Sequence, residues 1–264
     1  MKKYLLSVVI IMMFFGASAQ NLQLHYDFGR YLYDDLKKID EDNPGRFPLT
    51  STYEFFKADR IGSTFFFADF DYSSKSVYGA YWEIYREFCF WPDSKMNWLS
   101  FHIEYNGGLS RMAGGYNDAW LTGFTYSGHS QDYTKTWSLS VLYKLIPNTI
   151  ACHDPSITDN LKKDIHNFQI TGVWGVDFAH GWCRFDGFFD FWREARPWQY
   201  SEKHPQGTQY IFISEPQFWF NLDKIHGWEN FHFSVGSEVE ISNNFIAEGF
   251  YCIPTIGIKW DLSK

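Results

Sequence analysis

From Asn21 onward, apolar and polar residues alternate with a period of two. Leu22, Leu24, Tyr26 and Phe28 alternate with Gln23, His25 and Asp27. Leu99, Phe101, Ile103 and Tyr105 alternate with Ser100, His102 and Glu104, and Phe231, Phe233, Val235, Val239 and Ile241 belong to a similar set. Trp137, Leu139, Val141, Tyr143 and Leu145 make a further set broken only at Leu142, and Phe168, Ile170, Trp174, Val176 and Phe178 keep step with Gly172. Alternation of this kind is the signature of strands with two unlike faces. It predicts about twelve strands, give or take two, at 21–28, 49–57, 63–73, 79–90, 96–106, 116–126, 136–145, 166–178, 183–193, 209–220, 231–242 and 250–261. These lengths suit a tilted membrane strand better than a soluble sandwich. Only short stretches such as 31–41 and 156–165 could be helical.

The connections alternate in length. The long polar segments 29–48 and 146–165 follow odd strands, whereas Ala58–Gly62, Trp91–Lys95 and Ala179–Trp182 follow even strands and read as turns. Short turns at one rim and longer loops at the other fit an outer-membrane barrel, with both termini at the periplasmic rim and the two long loops outside the cell. The aromatic content of 21% then has a use, as belts at the two membrane interfaces. Trp91, Trp98, Trp137, Tyr143, Trp182, Phe220, Trp228 and Trp260 stand at strand ends as belt candidates. Alternation alone cannot tell the inner face from the outer. Strand length, loop asymmetry and aromatic load together select an all-β fold: one transmembrane antiparallel up-and-down β-barrel of about twelve strands.

Met1–Lys3, the apolar run Tyr4–Phe15 and the small residues Gly16–Ala19 read as a secretory signal peptide. The expected organisation is therefore a signal peptide at 1–19 and a barrel at 20–264. No Cys stands at the cleavage site, which excludes a lipoprotein, and no later apolar run is long enough for a multi-span helical protein. The net charge of −8 argues against binding nucleic acid. Cys89, Cys152, Cys183 and Cys252 are too few for a disulfide scaffold; one bridge is possible, and free thiols are the simpler reading. No spacing supports a metal site, and no phosphate loop or dinucleotide motif appears, so no cofactor or metal is expected. His153, Asp154 and His204 fall in external loops. Ser127-Gly128-His129-Ser130, the one local Ser/His cluster, is read as a polar turn without an orienting acid, so no catalytic residue is assigned.

Placing the apolar register against lipid turns Glu54, Glu83, Glu87, His102, Glu104, Lys144, Gln169, Asp177, Arg184, Asp186, Asp190, Glu215, Gln217, Glu238, Glu240 and Lys259 inward. Carboxylates dominate that set. Phe65, Phe67, Tyr81, Tyr85, Phe188, Trp192, Trp219 and Tyr251 also fall inside. Acids beside flat apolar faces suit uncharged or cationic solutes carrying rings or sugar faces. The solute-binding candidates are Glu83, Tyr81, Tyr85, Glu104, Asp190, Trp192, Glu215 and Trp219. Arg86 and Arg193 are misfits in the lipid register, near strand ends where long side chains reach the interface.

Several strings carry a family resemblance. They are Leu22-Gln23-Leu24-His25-Tyr26-Asp27-Phe28-Gly29-Arg30, Gly62-Ser63-Thr64-Phe65-Phe66-Phe67, Tyr81-Trp82-Glu83-Ile84 and Glu104-Tyr105-Asn106-Gly107-Gly108. Phe191-Trp192-Arg193-Glu194, Ser214-Glu215-Pro216-Gln217-Phe218-Trp219, Asn243-Asn244-Phe245 and Gly249-Phe250-Tyr251-Cys252-Ile253-Pro254-Thr255 continue the set. The chain resembles an uncharacterised family of Gram-negative outer-membrane proteins that is described as similar to Tsx, the nucleoside-specific channel. The resemblance implies a 12-stranded barrel in the outer membrane and a narrow channel, not an enzyme, passing small polar solutes with nucleosides as the candidate. The implied partners are outer-membrane lipid and a nucleoside-like solute, with the protein a monomer. No residue role is carried over. The C-terminal Trp260-Asp261-Leu262-Ser263-Lys264 departs from the usual final aromatic. Two other readings stand beside the channel: an outer-membrane lipid-modifying enzyme, for which no Ser/His pair shows on the lipid register, and a plugged structural barrel.

Overall fold

The computed structural model describes residues 19–37, 46–110, 117–147, 165–195, 208–246 and 248–263. All of the expected signal segment but Ala19, together with Cys152, His153, Asp154, Lys162, Lys163, His204 and most of 156–165, lies outside the described residues. The strand segments are β1 (Ala19–Tyr26), β2 (Leu49–Asp59), β3 (Gly62–Tyr72), β4 (Val77–Phe88), β5 (Leu99–Ser110), β6 (Ala119–His129), β7 (Lys135–Leu145), β8 (His166–Phe178), β9 (Cys183–Ala195), β10 (Thr208–Ser214), β11 (Gln217–Asn221), β12 (Phe233–Asn243), β13 (Phe250–Pro254) and β14 (Ile256–Asp261). Each pairs antiparallel with its neighbour, and β14 returns to β1 through Leu22↔Trp260 and Leu24↔Ile258. β10 and β11 share one register against β12, Phe212↔Asn243 and Gln217↔Glu238, so they form a single barrel strand interrupted before Pro216, which has no N–H to donate. β13 and β14 likewise share one register, Ser242↔Tyr251 and Ser234↔Lys259, interrupted after Pro254. The result is a closed barrel of twelve antiparallel strands, and closure removes the edges.

Strand ends differ from expectation by up to four residues, most at β5 and β6, which begin at Leu99 and Ala119 instead of 96 and 116. β5 continues through Gly107-Gly108 to Ser110 instead of stopping at 106. Gly107 and Gly108 pair with Trp82 and Tyr81, and a Cβ at Gly107 would come within 2.9 Å of the Tyr105 hydroxyl. β6 runs on through His129, so Ser127, Gly128 and His129 belong to a strand and not to the expected turn. The Trp137 indole lies against Gly128, where a Cβ would sit 2.7 Å from the ring. The hairpin turn follows at Ser130–Thr134. Its Asp132 carboxylate accepts from Ser130 Oγ at 2.6 Å and from Thr134 Oγ1 at 2.8 Å. Those two hydroxyl donors, joined by the Thr134 amide, lower its pKa to about 2. In the other predicted helical stretch, 31–41, the described residues hold only a 3-10 turn, Gly29–Leu32, that overlaps its start.

Register and exposure together fix the two faces. Leu22 and Leu24 are 42% and 38% exposed, whereas Gln23 and His25 between them are 2% and 4% exposed. A soluble protein would reverse that order. An apolar exterior on a closed barrel is stable only where lipid replaces water, so the chain is an outer-membrane β-barrel. The belt candidates Trp91, Trp98, Trp137, Tyr143, Trp228 and Trp260 are exposed on this surface, and Trp182 and Phe220 are half-buried. They cluster in pairs, such as Phe233 with Trp260 at 5.5 Å and Trp98 with Tyr126 at 5.5 Å. Among the described residues, no helix is long and apolar enough to cross a membrane.

One rim carries the turn at Arg60–Ile61, the turn at 130–134, the turn at 179–182 and both barrel termini; the other carries the strand ends that flank 27–48 and 146–165. The asymmetry is incomplete, because Ser73–Ser76 makes a tight hairpin at the loop rim, closed by Ser73 N–H to Ser76 O at 2.9 Å. At the turn rim, Gly62 adopts φ +141°, and a Cβ there would lie 1.9 Å from the Glu87 carbonyl. Arg86 points outward beside this turn. It donates to both Asp59 oxygens at 2.8 and 2.9 Å and to Thr64 Oγ1 at 3.0 Å. Near the interface an arginine on the lipid face costs only about 0–1 kcal/mol, so this placement is tolerable. Arg193, at the loop rim, donates to Asn167 Oδ1 at 3.3 Å.

Candidate functional site

The lumen is built in three layers. At the loop rim, the segment after β1 folds inward over the barrel mouth. Gly29 seats against Pro254, where a Cβ would meet Pro254 Cδ at 2.5 Å. Leu36 buries itself against inward Tyr251 and Ile253. β13 extends past the end of β1, and Tyr33 covers that free edge: its hydroxyl accepts from Cys252 N–H at 2.8 Å and donates to Cys252 O at 3.3 Å. Arg46, from the far end of the same segment, reaches the lumen and pairs with Asp27 and Glu240. Arg30 donates to Arg46 O at 2.7 Å and fixes the backbone behind it, while Phe47 packs on Tyr78 at 4.3 Å.

In the middle layer, β4, β5, β8 and β9 bring acids together. Tyr81 donates to Glu83 Oε1 at 2.6 Å. His102 lies between Glu87 at 3.4 Å and Glu104 at 2.8 Å. Asp190 accepts from Thr171 and from Gln169 Nε2 at 3.1 Å. Lys144 donates to Gln169 Oε1 at 2.9 Å, and its Nζ lies 4.7 Å from the Trp192 ring centre. Tyr85 stacks on Phe65 at 5.2 Å and faces His102 at 4.9 Å.

Toward the turn rim, Arg184 joins Asp177 at 3.0 Å and Asp186 at 2.6 Å. Lys259 Nζ lies 4.4 Å over the Trp219 ring and 3.9 Å from Asp186. Trp219 is fully buried; its Nε1 donates to Gln217, which passes a bond on to Glu238 at 2.6 Å. Asn21 donates to Glu54 at 2.7 Å, and His25 hydrogen-bonds Gln23 at 2.9 Å and Thr255 at 3.1 Å.

Every residue assigned inward from the sequence has the inward register. Glu83, Tyr81, Tyr85 and Glu104 share two neighbouring strands, with Asp190 and Trp192 together on β9. Glu215 stands in the break between β10 and β11, its N–H donating to Phe188 O at 3.0 Å, and Trp219 lies deeper on β11. The two tryptophans are not open faces. A cation over a desolvated ring contributes about 2 kcal/mol, comparable with about 1–3 for a stacked base, so a solute base gains little by displacing Lys144 or Lys259. Sequence reasoning passed over Asp69 and Asp71, which point inward and accept from Thr52 at 2.5 Å and Thr50 at 2.7 Å. The Phe65-Phe66-Phe67 run ahead of them hides the alternation, but counting on by two from Phe67 finds both. It also passed over Arg46, for which a loop offers no periodic signal.

Thr125 Oγ1, His102 and Glu104 line up as hydroxyl, imidazole and acid, at 3.3 and 2.8 Å. Thr125 is fully buried and its hydroxyl is shared with Ser140 Oγ at 2.8 Å, so the row is a hydrogen-bonded chain within the barrel wall. Among the described residues no group of three His, Cys, Asp or Glu is arranged to hold a metal ion. Cys89, Cys183 and Cys252 are free thiols.

Comparison with solved structures finds weak likenesses. A KdgM porin aligns with a TM-score of 0.45 at 6% identity, over 92% of this chain and 98% of that one. LpxR from Salmonella typhimurium aligns at 0.42 and 7% identity, over 92% and 99% of the two chains. OprD from Pseudomonas aeruginosa aligns at 0.38 and 8% identity, over 82% and 60%. Values this low speak to neither substrate nor activity. A search of curated proteins found no match. A family model described as a domain of unknown function, DUF5020, matches residues 19–262, the whole of the barrel described above, and the chain belongs to that family.

Proposed function

We propose that this protein is a narrow outer-membrane channel for small polar solutes, favouring cations and neutral molecules over anions. The observation that carries the reading is the charge balance of the lumen wall. Carboxylates from Asp27 on β1's end to Glu240 on β12 outnumber Lys144, Arg184, Lys259 and Arg46, and Arg184 and Arg46 are each held by two carboxylates. A narrow, low-dielectric passage focuses that field and repels anions.

Nucleosides are the candidate solute. Glu83, Glu104, Asp190 and Glu215 supply acceptors for hydroxyl and amino groups. Tyr81 and Tyr85 supply ring faces, and Trp192 and Trp219 seat the two lysines. Neutral nucleosides should partly block the current, and nucleotides should block less because their phosphates oppose the lumen field. The long-loop rim is taken to face the cell exterior.

A second reading, a plugged structural barrel, is favoured by one feature: Tyr33, Leu36 and Arg46 pack onto the inner wall at the mouth, and Glu240 and Trp219 are almost wholly buried. Recordings from purified protein in a planar bilayer decide between them. The channel reading expects discrete cation-preferring openings and adenosine block exceeding that of adenosine monophosphate. Anion-selective current, or equal block by the two, contradicts it, and silence in both wild type and an Arg46→Met variant supports the plug.

A further inference from the structure

Two cations share a row on the lipid face, just inside the turn rim. Lys57 on β2 is opposite Thr64 on β3, and Thr64 is opposite Arg86 on β4. Arg86 is held by Asp59, and its guanidinium lies 5.3 Å over the Phe88 ring. The bonds to Asp59 and Thr64 leave Nε–H and one Nη2–H of Arg86 without an acceptor among the described residues. Lys57 makes no direct ion pair among the described residues. Lys57, Asp59 and Arg86 therefore carry one net positive charge. Phe88, Phe90 and Phe101, in ring contact beside Arg86, belong to the aromatic belt and place this charge at the height of lipid headgroups.

The outer wall beside the row is hollowed. A groove of about 370 Å³ is lined by Thr64, Ile84, Arg86, Ile103, Tyr105 and Trp120. Register puts all six on the lipid face, with Arg86 opposite Ile103, Ile84 opposite Tyr105, and Tyr105 opposite Trp120. Tyr85 and Glu104 also border the groove, and because their side chains turn inward they offer backbone there. The groove leads away from the turn rim, from Arg86 to Ile84 along β4 and from Ile103 to Tyr105 along β5. Thr64 and Trp120 are three strand spacings and two residues apart, roughly 16 Å, which is most of the length of an acyl chain.

The groove is thus cationic at its interfacial end and apolar toward the membrane interior. A phospholipid has the same order, with phosphate at the interface and chains running inward. A free phosphate would use only the cations, and a neutral diacylglycerol only the groove.

We propose that Lys57, Thr64 and Arg86 bind the phosphate of a membrane phospholipid, one of whose acyl chains lies in the groove over Ile84 and Ile103 toward Trp120. The site is on the outer wall and does not depend on the channel reading.

The test is native mass spectrometry of the full protein released from detergent micelles, titrated with dioleoylphosphatidylglycerol. Dioleoylglycerol, inorganic phosphate and lipid A serve as comparisons. One tightly held phosphatidylglycerol is expected, at least about tenfold tighter than dioleoylglycerol, which lacks the charge-assisted hydrogen bonds. Inorganic phosphate should leave no adduct. Lys57→Gln and Arg86→Gln should each weaken binding about fivefold, and Ile103→Trp, which fills the groove and keeps the charges, about tenfold. Arg193→Gln, on the lipid face at the loop rim, should change nothing. The Lys57 and Ile103 side chains hold no hydrogen bond, so those variants carry the test if Arg86→Gln does not fold. Equal binding of dioleoylglycerol, adducts that Lys57→Gln and Ile103→Trp leave unchanged, retention of inorganic phosphate alone, or lipid A bound more tightly than phosphatidylglycerol overturns the proposal.

Discussion

Replacing Arg46 with Met should loosen the barrel mouth, and the size of the effect follows from what Arg46 leaves behind. Its guanidinium pairs with Asp27 and Glu240, whose side chains are 5% and 1% exposed. Removing one partner of a buried ion pair costs about 3–5 kcal/mol, because the other charge stays buried without compensation. Each carboxylate keeps one donor here: Asp27 Oδ1 accepts from Arg30 N–H at 2.9 Å, and Glu240 Oε1 accepts from Ser242 Oγ at 2.6 Å. The low end, about 3 kcal/mol, is therefore expected. Neutralising the stranded acid should recover part of it, so Arg46→Met combined with Glu240→Gln should be more stable than Arg46→Met alone. Urea unfolding in lipid vesicles, followed by tryptophan fluorescence and by the shift of folded to unfolded gel migration, measures both variants. Arg46→Met should also enlarge the bilayer conductance if Arg46 and the residues packed beside it restrict the mouth. An Arg46→Met protein within about 0.5 kcal/mol of wild type, the range typical of a plain surface substitution, would refute the reasoning.

Three further outcomes are expected. Tyr33→Phe removes the hydroxyl that covers the β13 edge, so the Cys252 amide should exchange roughly five- to thirtyfold faster, for a loss of about 1–2 kcal/mol; unchanged protection contradicts this. The Asp132 carboxyl should titrate near pH 2 in a carbon-13 NMR experiment. Because its folded pKa is depressed below the ordinary value of 3.8, its contribution to the turn is complete above that value and is lost as pH falls toward 2; a midpoint at 3.8 contradicts the hydrogen bonds drawn for the turn. Protease added to intact cells should cut near Lys162-Lys163 in the long-loop segment, and cutting at Asp59-Arg60 instead, with 146–165 protected, would invert the topology.

The barrel was legible because strand periodicity is a local property. Leu22 to Asp27 alternate in sequence, and the same six residues alternate between lipid and lumen in the fold. Once one register is chosen, closure carries the choice around every pair, which is why Glu54, Tyr81, Asp186 and Lys259 could be placed inward without a structure. The breaks at Pro216 and after Pro254 did not disturb it, since the count by two continues through both. Glycine misled where it was read as a turn: Gly128 sits in a strand, with the Trp137 ring close over it. What the sequence could not reveal is pairing across the lumen. That Lys144 settles on Trp192 and Lys259 on Trp219, or that Arg46 reaches Glu240, depends on strands distant in sequence meeting around a closed circle.

The central claim, that an acid-lined lumen conducts and prefers cations, is tested most directly by the reversal potential of single channels in a planar bilayer under a potassium chloride gradient. The account predicts a potential of the cation-selective sign in the wild-type protein, moving toward zero in a Glu83→Gln, Glu104→Gln double variant as two lumen charges are removed. A reversal potential of the anion-selective sign, or one that the double variant leaves unmoved, would contradict it.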